Sequence, residues 1–510
     1  MHKGAALSYE LVAAVDLGSN SFRLQVGRVV GDQIYPLDSL KEVVRLAAGL
    51  NAERQLDAAA QERGLDALRR FGERLRGFAP EAVRAVATNT LRVAKNAAAF
   101  LAQAETALGF PIEVIAGREE ARLIYLGVAH TLTNPHAQQL VVDIGGGSTE
   151  FVIGRKFQPL ELESLYMGCV SHSLKYFPLG RIDKAAMKAA ELAARKELQA
   201  IVSAFRKRGW EEAIGSSGTA KAIVDLIEQN GLNRAGESGI TAEGLAHLRG
   251  RLLAAGDVTA LRLAGLRPDR MLVLPGGVAI MSALFKEFDL KRMDFSEGAL
   301  RLGVLYDLLG RYQHHDQREA TVLQFMRRYE VDRRQAARVS ASALGFLRQV
   351  WPGVDGQAAE SFLLWAANLH ELGISVAHSS YHKHSAYILA NADMPGFSRM
   401  DQERLSRIVL VHRGKLERVQ PLLRDPRDWV LIFCLRLAAL LHRARDDAAI
   451  PPLQVAVHER GFGIVADARW LAASPLTAAA LEEEARQWAN LGMDLQLSTR
   501  PAGRETFAQH

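Results

Sequence analysis

Apolar and polar positions near the start of the chain alternate in the way that β-strands require. Residues 11–15 form an apolar run of strand length, and residues 16–21 after it are small and polar, as in a tight turn. Residues 22–27 then alternate apolar and polar side chains with a period of two, which predicts a half-buried strand. Residues 52–77 carry Ala, Leu, Glu and Arg at helical spacing. The pattern therefore predicts an α/β segment that opens with a β-hairpin.

The same strand, turn and strand pattern returns further along the chain. Residues 140–155 align with residues 13–28 without a gap. Identical polar and glycine residues in the alignment are Asp16 with Asp143, Gly18 with Gly145, Ser21 with Ser148, Gly27 with Gly154, and Arg28 with Arg155. Such matches arise by chance in a chain rich in Ala and Gly, but the shared order of Asp, glycine-rich turn and alternating strand favours duplication. We therefore predict two related α/β halves.

Helical patterns dominate from residue 311 to about residue 445, and a short tail follows. Residues 449–452 contain two prolines and are predicted to form a linker. Strand patterns in the tail lie at residues 453–458, 462–466 and 493–498, with a helical pattern at residues 477–490. The predicted domains are residues 1–130 and 131–310 for the two α/β halves, 311–447 for a helical domain and 448–510 for a small α+β tail.

Composition excludes several classes of protein. The 510 residues are 48% hydrophobic and 24% charged, which excludes wholesale disorder. Two cysteines, Cys169 and Cys434, cannot form a disulfide framework and lack zinc-site spacing. The first ten residues show no secretory signal, and the apolar stretch at residues 430–441 is too short to span a bilayer. We therefore expect a soluble, cytoplasmic protein that is not integral to a membrane.

The formal charge of +6 is distributed unevenly along the chain. Residues 311–447 hold 20 basic and 15 acidic side chains, a net +5, and residues 448–510 hold 5 and 7, a net −2. The 38 basic and 35 acidic side chains of residues 1–310 leave +3. Such an excess is typical of a solvated surface, or of a protein whose partner carries many negative charges: nucleic acid, an acidic membrane or a polyphosphate chain.

Four turns consist of glycine and small polar residues. They lie at residues 16–21, 143–149, 215–219 and 276–277. Residues 271–274, before the last turn, predict a strand. Glycine permits a positive φ and lets a bulky anion approach the backbone, whose N–H groups then cradle phosphate oxygens. An ordinary hairpin accounts for one such turn, but the four together predict a phosphate cleft between the halves. Their spacing matches neither a Walker A loop nor GxGxxG.

Carboxylates lie beside these turns. Asp143 ends the strand before the three consecutive glycines, and Glu150 begins the strand after them. Magnesium prefers one or two carboxylates together with waters and phosphate oxygens, so Asp143 and Glu150, with Asp16 of the first turn, form a candidate metal site. Glu119 and Glu120 begin a predicted helix, where a carboxylate either complements the helix dipole or orients water for attack on phosphorus.

Four motifs together resemble one enzyme family. They are DLGSNSF at residues 16–22, GREEAR at 117–122, VDIGGGSTE at 142–150 and GSSGT at 215–219. The combination resembles the exopolyphosphatase and guanosine pentaphosphate phosphohydrolase family of the sugar kinase, Hsp70 and actin superfamily, and it covers essentially the whole chain. The resemblance implies an α/β fold of two duplicated RNase H-like (actin-like ATPase) halves, followed by an all-helical HD-like domain and a small α+β tail. It also implies a homodimer.

The resemblance implies roles for individual residues. Glu120 matches the catalytic base, and Asp143 and Glu150 match the acidic residues that hold Mg²⁺ and water. Arg92, which the residue pattern leaves as either a phosphate ligand or a surface ion-pair partner, matches an arginine that follows the family's threonine-containing strand end. The two phosphate-binding loops and the loop that faces nucleotide or phosphate correspond to Asp16, Gly18, Ser19, Asn20 and Ser21, to Gly145, Gly146, Gly147, Ser148 and Thr149, and to Gly218 and Thr219.

The predicted helical domain departs from a working HD site, which needs adjacent His and Asp for its metal. The pair here is His370 and Glu371, so we expect no working metal site there. We expect a cluster of His378, His382 and His384 to serve structure or polyanion contact. Leu302 stands where the family commonly has Glu, which weakens any role for that position.

The leading expectation is an exopolyphosphatase, a phosphoric anhydride hydrolase that releases the terminal phosphate of inorganic polyphosphate with Mg²⁺ and a water oriented by Glu120. The alternative substrate is guanosine pentaphosphate at the same site, or both substrates. The three glycines at residues 145–147 and the basic helical domain favour polyphosphate. A superfamily kinase or ATPase, or a non-catalytic sensor of polyphosphate or an alarmone, is less favoured, and no nucleic acid partner is expected.

Overall fold

The computed structural model describes residues 10–500 except 32, 133, 135, 313–316, 352–355, 424–426 and 448. The first nine residues, on which the expectation about a secretory signal mostly rests, lie outside the described residues. Two compact units make up the chain, Met1–Gln317 and Arg318–His510. Within the described ranges, none of the helices combines the length and the apolar character needed to cross a bilayer.

The first unit contains two β-sheets. Strands of the first sheet are β1 (Leu11–Leu17), β2 (Ser21–Val30), β3 (Gln33–Val43), β4 (Val83–Ala87) and β5 (Ile112–Val114). Their order across the sheet is β3-β2-β1-β4-β5. The central strand β1 runs antiparallel to β2 and parallel to β4.

The second sheet repeats this arrangement. Its strands are β6 (Gln138–Ile144), β7 (Thr149–Arg155), β8 (Gln158–Leu165), β9 (Glu212–Ser216), β10 (Ile240–Thr241) and β11 (Arg292–Phe295). Their order is β10-β11-β9-β6-β7-β8, with β6 antiparallel to β7 and parallel to β9. The strands β8-β7-β6-β9-β11 therefore match β3-β2-β1-β4-β5 in order and direction.

Details of the strand pairing also repeat between the two sheets. Asp16 lies opposite Arg23 in the first hairpin, and Asp143 lies opposite Glu150 in the second. A bulge shifts the register before the equivalent glycines, Gly27 and Gly154. A shared bulge is a specific backbone feature, so the pairing agrees with the predicted duplication.

Helices surround the two sheets of the first unit. They are α1 (Ala58–Arg74), α2 (Asn89–Val93), α3 (Ala97–Leu108), α4 (Gly117–Ala129), α5 (Cys169–Tyr176), α6 (Lys184–Arg208), α7 (Ser217–Gln229), α8 (Ala242–Ala255), α9 (Pro268–Met271), α10 (Leu274–Phe288) and α11 (Leu300–Tyr312). Helices α4 and α11 pack backbone to backbone, because a Cβ atom on Gly127 would lie 2.8 Å from the backbone N of Gly303. This contact holds α4, whose first turn carries Glu119 and Glu120.

The strand predicted over residues 271–274 is absent from the described structure. Helix α9 ends at Met271, and α10 begins at Leu274 with Pro275 in its first turn, where proline is favoured. Helix α10 is buried on most of its faces. A short apolar run of this kind does not distinguish a buried strand from a buried helix.

The second unit combines helices with a three-stranded sheet. Its helices are α12 (Gln317–Arg328), α13 (Arg333–Val350), α14 (Gly356–Leu369), α15 (Tyr381–Asn391), α16 (Arg399–Leu410), α17 (Asp428–Leu441), α18 (Ala468–Ala473) and α19 (Pro475–Ala489), and its strands are β12 (Gln454–His458), β13 (Gly461–Asp467) and β14 (Asp494–Arg500). Phe433 of α17 stacks on Phe462 of β13 with ring centres 4.2 Å apart. Trp488 of α19 packs on Phe462 at 4.9 Å. The strands therefore share one hydrophobic core with the helices.

The histidines that come together in this unit differ from the cluster expected from sequence. His412 has ring contacts with His370 at 4.9 Å and with His382 at 6.3 Å. Burial lowers the pKa of His382 to about 4, which favours a neutral ring. Arg445 forms an ion pair with Glu371, so a guanidinium engages the carboxylate beside His370.

Candidate active site

Two loops face each other where the central strands of the two sheets end. The first loop (residues 16–21) lies between β1 and β2, and the second loop (residues 143–149) lies between β6 and β7. A Cβ atom on Gly146 would lie 3.0 Å from the Cβ of Ser19 and 3.5 Å from the backbone N of Asn20. A larger residue at Gly146 would therefore push the loops apart.

Of the two properties of glycine considered above, positive φ is not used in these loops, because neither Gly18 nor any glycine of residues 145–147 has one. Limited space requires these glycines instead. A Cβ atom on Gly18 would lie 3.0 Å from the carbonyl oxygen of Ser21, and one on Gly145 would lie 3.0 Å from that of Ser148. The two loops are thus equally tight at equivalent positions.

Backbone hydrogen bonds fix the shape of both loops. The N–H groups of Ala47, Arg45, Cys169 and Val170 donate to the carbonyl oxygens of Ser19, Asn20, Gly145 and Gly146 at distances of 2.8–2.9 Å. These bonds engage carbonyl dipoles that would otherwise repel a phosphate group. A loop that directs N–H groups toward its ligand is a suitable anion site.

A cleft between the two loops collects most of the predicted site residues. Those that line it are Asp16, Gly18, Ser19, Asn20, Ser21, Glu120, Asp143, Gly145, Gly146, Ser148, Gly218 and Thr219. We refer to this space as the cleft. Residues from both α/β halves and from α4 and α7 therefore meet at one site.

Two predicted residues of the second hairpin lie behind the second loop. Glu150 is 1% exposed and accepts a hydrogen bond from the Ser164 hydroxyl at 2.8 Å. Its Oε2 lies 3.9 Å from a Cβ atom built on Gly145. The Thr149 hydroxyl donates to the carbonyl oxygen of Met167 at 2.6 Å. Glu150 therefore lies behind the residues of the cleft wall and does not line the cleft itself. Thr149 stabilises the loop through its hydrogen bond to Met167.

Two further predicted residues also lie beside the cleft and not on its wall. Gly147 lines a neighbouring cavity together with Asn89 and Val170. Arg92 of α2 donates to the Glu120 carboxylate at 2.7 Å and to the Ile115 carbonyl at 3.0 Å. Of the two roles considered for Arg92, phosphate ligand or surface ion-pair partner, the structure shows an ion pair. This pair is buried and holds Glu120 in place.

The adjacent glutamates of α4 have different surroundings. Glu120 lines the cleft. Glu119 instead binds Arg122 through both carboxylate oxygens at 2.8 Å, and Arg122 also binds Asp307 of α11 at 2.5 Å. Arg84 of β4 extends this buried network to Asp307 at 2.8 Å. Glu119 therefore ties α4 to α11, and Glu120 is the carboxylate available for chemistry.

Three buried carboxylates, Asp16 and Asp143 on the cleft wall and Glu150 behind it, have raised pKa values. Burial raises the pKa of Asp16 to about 6 and the pKa of Asp143 to about 7, although Ser216 donates a hydrogen bond to Asp143. Burial, with Glu120 and Asp143 nearby, also raises the pKa of Glu150 well above its usual value. The Oδ1 atom of Asp16 is buried without a hydrogen-bond partner. A cation here would compensate these charges.

The residues at this position fit Mg²⁺. Asp16 and Asp143 supply two carboxylates, and the orphaned oxygen of Asp16 offers a free ligand atom. Across the described part of the chain, no group of three or more His, Cys, Asp or Glu side chains forms a ready metal site. Magnesium commonly uses one or two carboxylates and takes its other ligands from water and phosphate.

Four basic residues of the cleft wall were missed by sequence reasoning. They are Arg23, Lys221, Arg270 and Arg301. Burial, with Arg301 nearby, lowers the pKa of Arg23 to about 10. The charged form of Arg23 is therefore destabilised, and a bound anion would stabilise it. The alignment of the two halves offered one signal, since Arg23 occupies the position equivalent to Glu150. Arg270 carried no comparable signal.

Comparison with known families covers most of the chain. The model of the Ppx/GppA phosphatase family matches residues 25–312. The model of Ppx/GppA phosphatase domain III matches residues 317–485. The second loop, Glu120, Asp143 and Glu150 lie within the first match, whereas the first loop with Asp16 precedes it.

Individual relatives extend this match to nearly the full length. A guanosine-5'-triphosphate,3'-diphosphate pyrophosphatase of Pseudoalteromonas translucida is 37% identical, over 95% of this chain and 97% of its own. The crystal structure of an exopolyphosphatase from Cytophaga hutchinsonii has a TM-score of 0.53 at 24% identity, covering 59% of this chain and 98% of that one. A solved exopolyphosphatase-like protein has a TM-score of 0.54 at 26% identity, covering 60% and 98%. On these matches, the chain belongs to the Ppx/GppA phosphatase family.

Proposed function

We propose that the chain hydrolyses guanosine 5'-triphosphate 3'-diphosphate, releasing its terminal 5'-phosphate and leaving guanosine 3',5'-bis(diphosphate). Assignment to hydrolysis rests on Glu120, a carboxylate on the cleft wall that Arg92 holds at 2.7 Å beside two phosphate-binding loops. The nucleotide is favoured by the relative that is 37% identical over 95% of the chain and is named for this substrate. This support outweighs the sequence-based preference for polyphosphate.

The proposed reaction uses a water molecule as nucleophile. Glu120 accepts a hydrogen bond from this water and then its proton as the oxygen attacks the terminal phosphorus. The bond between that phosphorus and the bridging oxygen breaks, and the β-phosphate keeps the electron pair. Backbone N–H groups of both loops stabilise the charge on the transferred group. Arg92 maintains the direction of the Glu120 carboxylate.

Cations of the cleft bind the rest of the polyanionic substrate. Arg301 is close enough to lower the pKa of Arg23, and Arg270 lies on the same wall. One guanidinium group can donate two parallel hydrogen bonds to two oxygens of the same phosphate. When Mg²⁺ is bound by Asp16 and Asp143, it supplies neutralisation of phosphate charge.

Inorganic polyphosphate is a second candidate substrate. A solved relative at 26% identity is named an exopolyphosphatase-like protein. A polyphosphate end presents the same terminal phosphoanhydride to Glu120 and to the loops. The two substrates differ only beyond the phosphates that occupy the cleft.

A phosphate-release assay on the full-length protein tests this proposal. Guanosine 5'-triphosphate 3'-diphosphate and inorganic polyphosphates of several lengths are compared, each with Mg²⁺ and with EDTA. We expect Mg²⁺-dependent release, with kcat/KM higher for the nucleotide than for any polyphosphate. Higher kcat/KM for polyphosphate would reverse the assignment of the substrate. Phosphate transfer to an acceptor other than water would overturn hydrolysis itself.

A further inference from the structure

The outer part of the cleft carries three side chains that the hydrolytic step does not use. Lys221, Phe295 and Glu297 line the same cleft as the phosphate-binding loops. Lys221 lies in α7, Phe295 ends β11, and Glu297 follows two residues later. The sheet brings them together, because β11 pairs with β9 and β9 leads directly into α7.

These three side chains form a charged and aromatic group at the solvent side of the cleft. The Lys221 ammonium forms an ion pair with the Glu297 carboxylate, and the two side chains are 45% and 73% exposed. Lys221 Nζ also lies 5.4 Å from the centre of the Phe295 ring. A hydrogen-bond acceptor, a donor and an aromatic surface are therefore adjacent and accessible.

A carboxylate in this position suits a nucleobase better than a polyphosphate chain. Glu297 would repel an inorganic polyanion that passes along the wall, since like charges placed together cost free energy. A purine base carries no such charge. Its flat face packs against an aromatic side chain such as Phe295.

The donor and acceptor pattern of the group distinguishes guanine from adenine. Guanine presents N1–H and a 2-amino group side by side, with the O6 acceptor next to them. A carboxylate accepts from both N–H donors, and an ammonium donates to O6. Adenine presents a lone pair at N1, which would face the carboxylate and be repelled.

We propose that Lys221, Phe295 and Glu297 bind the guanine base of the substrate. Glu297 reads N1–H and the 2-amino group, Lys221 reads O6, and Phe295 provides the surface on which the base stacks. This inference rests on the proposed function for the nucleotide and adds the residues that select its base.

Comparing guanosine and inosine substrates tests the role of Glu297. The 5'-triphosphate 3'-diphosphate of inosine lacks only the 2-amino group, so it removes one hydrogen bond to the carboxylate. We expect wild-type kcat/KM to be about tenfold or more higher for guanosine, since a site that hydrogen-bonds a substrate group rejects the analogue lacking it. In Glu297→Ala the ratio of kcat/KM for the guanosine substrate to kcat/KM for the inosine substrate should fall to about one, because the carboxylate that accepts from the 2-amino group is removed.

A matched control comes from another exposed carboxylate of the same segment. Asp289 pairs with Lys291 at 2.9 Å, with side chains 77% and 82% exposed, and it does not line the cleft. Asp289→Asn should keep the full preference for guanosine. Because Glu297 is itself largely exposed, its replacement leaves no cavity, and circular dichroism checks that both variants fold.

Binding of the reaction product provides a readout that does not need turnover. By calorimetry, Glu297→Ala should bind guanosine 3',5'-bis(diphosphate) about tenfold more weakly than the wild type does. Equal turnover of guanosine and inosine substrates by the wild type, or an unchanged preference in Glu297→Ala, overturns base reading and leaves the hydrolase assignment standing. If neither nucleotide releases phosphate, the proposed function fails, and this inference fails with it.

Discussion

At the scale of single residues, Glu119 and Glu120 show how neighbouring carboxylates acquire different roles. Glu120 lines the cleft and Glu119 lies in a buried ion-pair network. Glu120→Gln should lower kcat for phosphate release by about 10²–10⁴-fold, the range for loss of a general base. It also leaves Arg92 buried without its charged partner, which should cost about 3–5 kcal/mol of stability. Single-turnover kinetics and urea unfolding of the same preparation measure the two effects.

Glu119→Gln is the matched variant, one residue away. It leaves Arg122 buried without its bidentate partner, and breaking a buried pair costs about 3–5 kcal/mol of stability. Its folded fraction should retain far more activity than Glu120→Gln. If the two variants lose equal activity per folded molecule, the assignment of the base to Glu120 is wrong.

Asp143 yields a prediction about pH because burial raises its pKa from 3.8 to about 7. Between these values the folded protein holds a proton that the unfolded chain has released, so stability falls as pH rises. In EDTA, Asp143→Asn should match the wild type near pH 4 and be more stable above pH 7, by at most about 4 kcal/mol at about 1.4 kcal/mol per pKa unit. Urea unfolding at both pH values measures the difference. Adding Mg²⁺ should reduce the difference in stability between Asp143→Asn and the wild type above pH 7. A difference in stability that does not change with pH would contradict a raised pKa of Asp143.

Sequence reasoning located the acidic residues of the site better than its basic ones. Asp16 and Asp143 were predicted because each stands at a strand end beside a glycine turn. The choice between Glu119 and Glu120 needed either the family resemblance or the structure, since both lie in the same first turn of α4. Arg270 reaches the cleft from a short helix between loops, and only tertiary packing brings it there.

At the scale of elements, the two loops predict a strong response to a single methyl group. Gly146→Ala places a Cβ atom 3.0 Å from Ser19, so the loops must separate and the N–H groups move from the phosphate. We expect kcat to fall by about 10²-fold or more, the usual cost of losing preorganised donors. Gly250→Ala in α8 is the control, because nothing lies within 4 Å of its added carbon; it should leave kcat unchanged and stabilise by up to about 1 kcal/mol. Equal activity of both variants would contradict close loop contact.

Prediction of the elements succeeded where periodicity was unambiguous. Alternating residues 22–27 lie in β2, and the strands expected in the tail correspond to β12, β13 and β14. The strand prediction for residues 271–274 was wrong because a buried helix is apolar on most of its faces, which removes the periodic signal. The glycine turns at residues 16–21 and 143–149 were placed correctly, whereas Gly276 and Gly277 lie inside α10 and form no turn. Glycine is required in the two loops by close packing, partly between distant parts of the chain, which no local pattern contains.

At the scale of the molecule, duplication explains how one cleft acquires both signs of charge. The two hairpins share topology and bulges, yet Arg23 stands where the other hairpin has Glu150. This one position therefore supplies a cation in the first half and a carboxylate in the second. The other charged groups of the cleft come from both halves, Asp16 and Glu120 from the first, and Asp143, Lys221, Arg270 and Arg301 from the second. Counting charge along the sequence found a basic excess in residues 311–447, but the cations of the candidate site belong to the first unit.

The second unit has its own core, and a buried ion pair in that core predicts how the whole chain unfolds. Arg436 of α17 binds both carboxylate oxygens of Glu484 of α19 at 2.5 and 2.6 Å, and Trp488 donates to the same carboxylate at 2.8 Å. Glu484→Gln leaves the Arg436 guanidinium buried without its counter-charge, which should cost about 3–5 kcal/mol of stability.

Glu483→Gln is the adjacent control, because Glu483 pairs with Arg486 on the surface and exposed pairs contribute under about 1 kcal/mol. Chains with two compact units need not unfold in one step, so urea unfolding followed by circular dichroism should show Glu484→Gln shifting one part of the transition and Glu483→Gln shifting none. A uniform shift of the entire curve by Glu484→Gln would instead mean that the two units unfold as one.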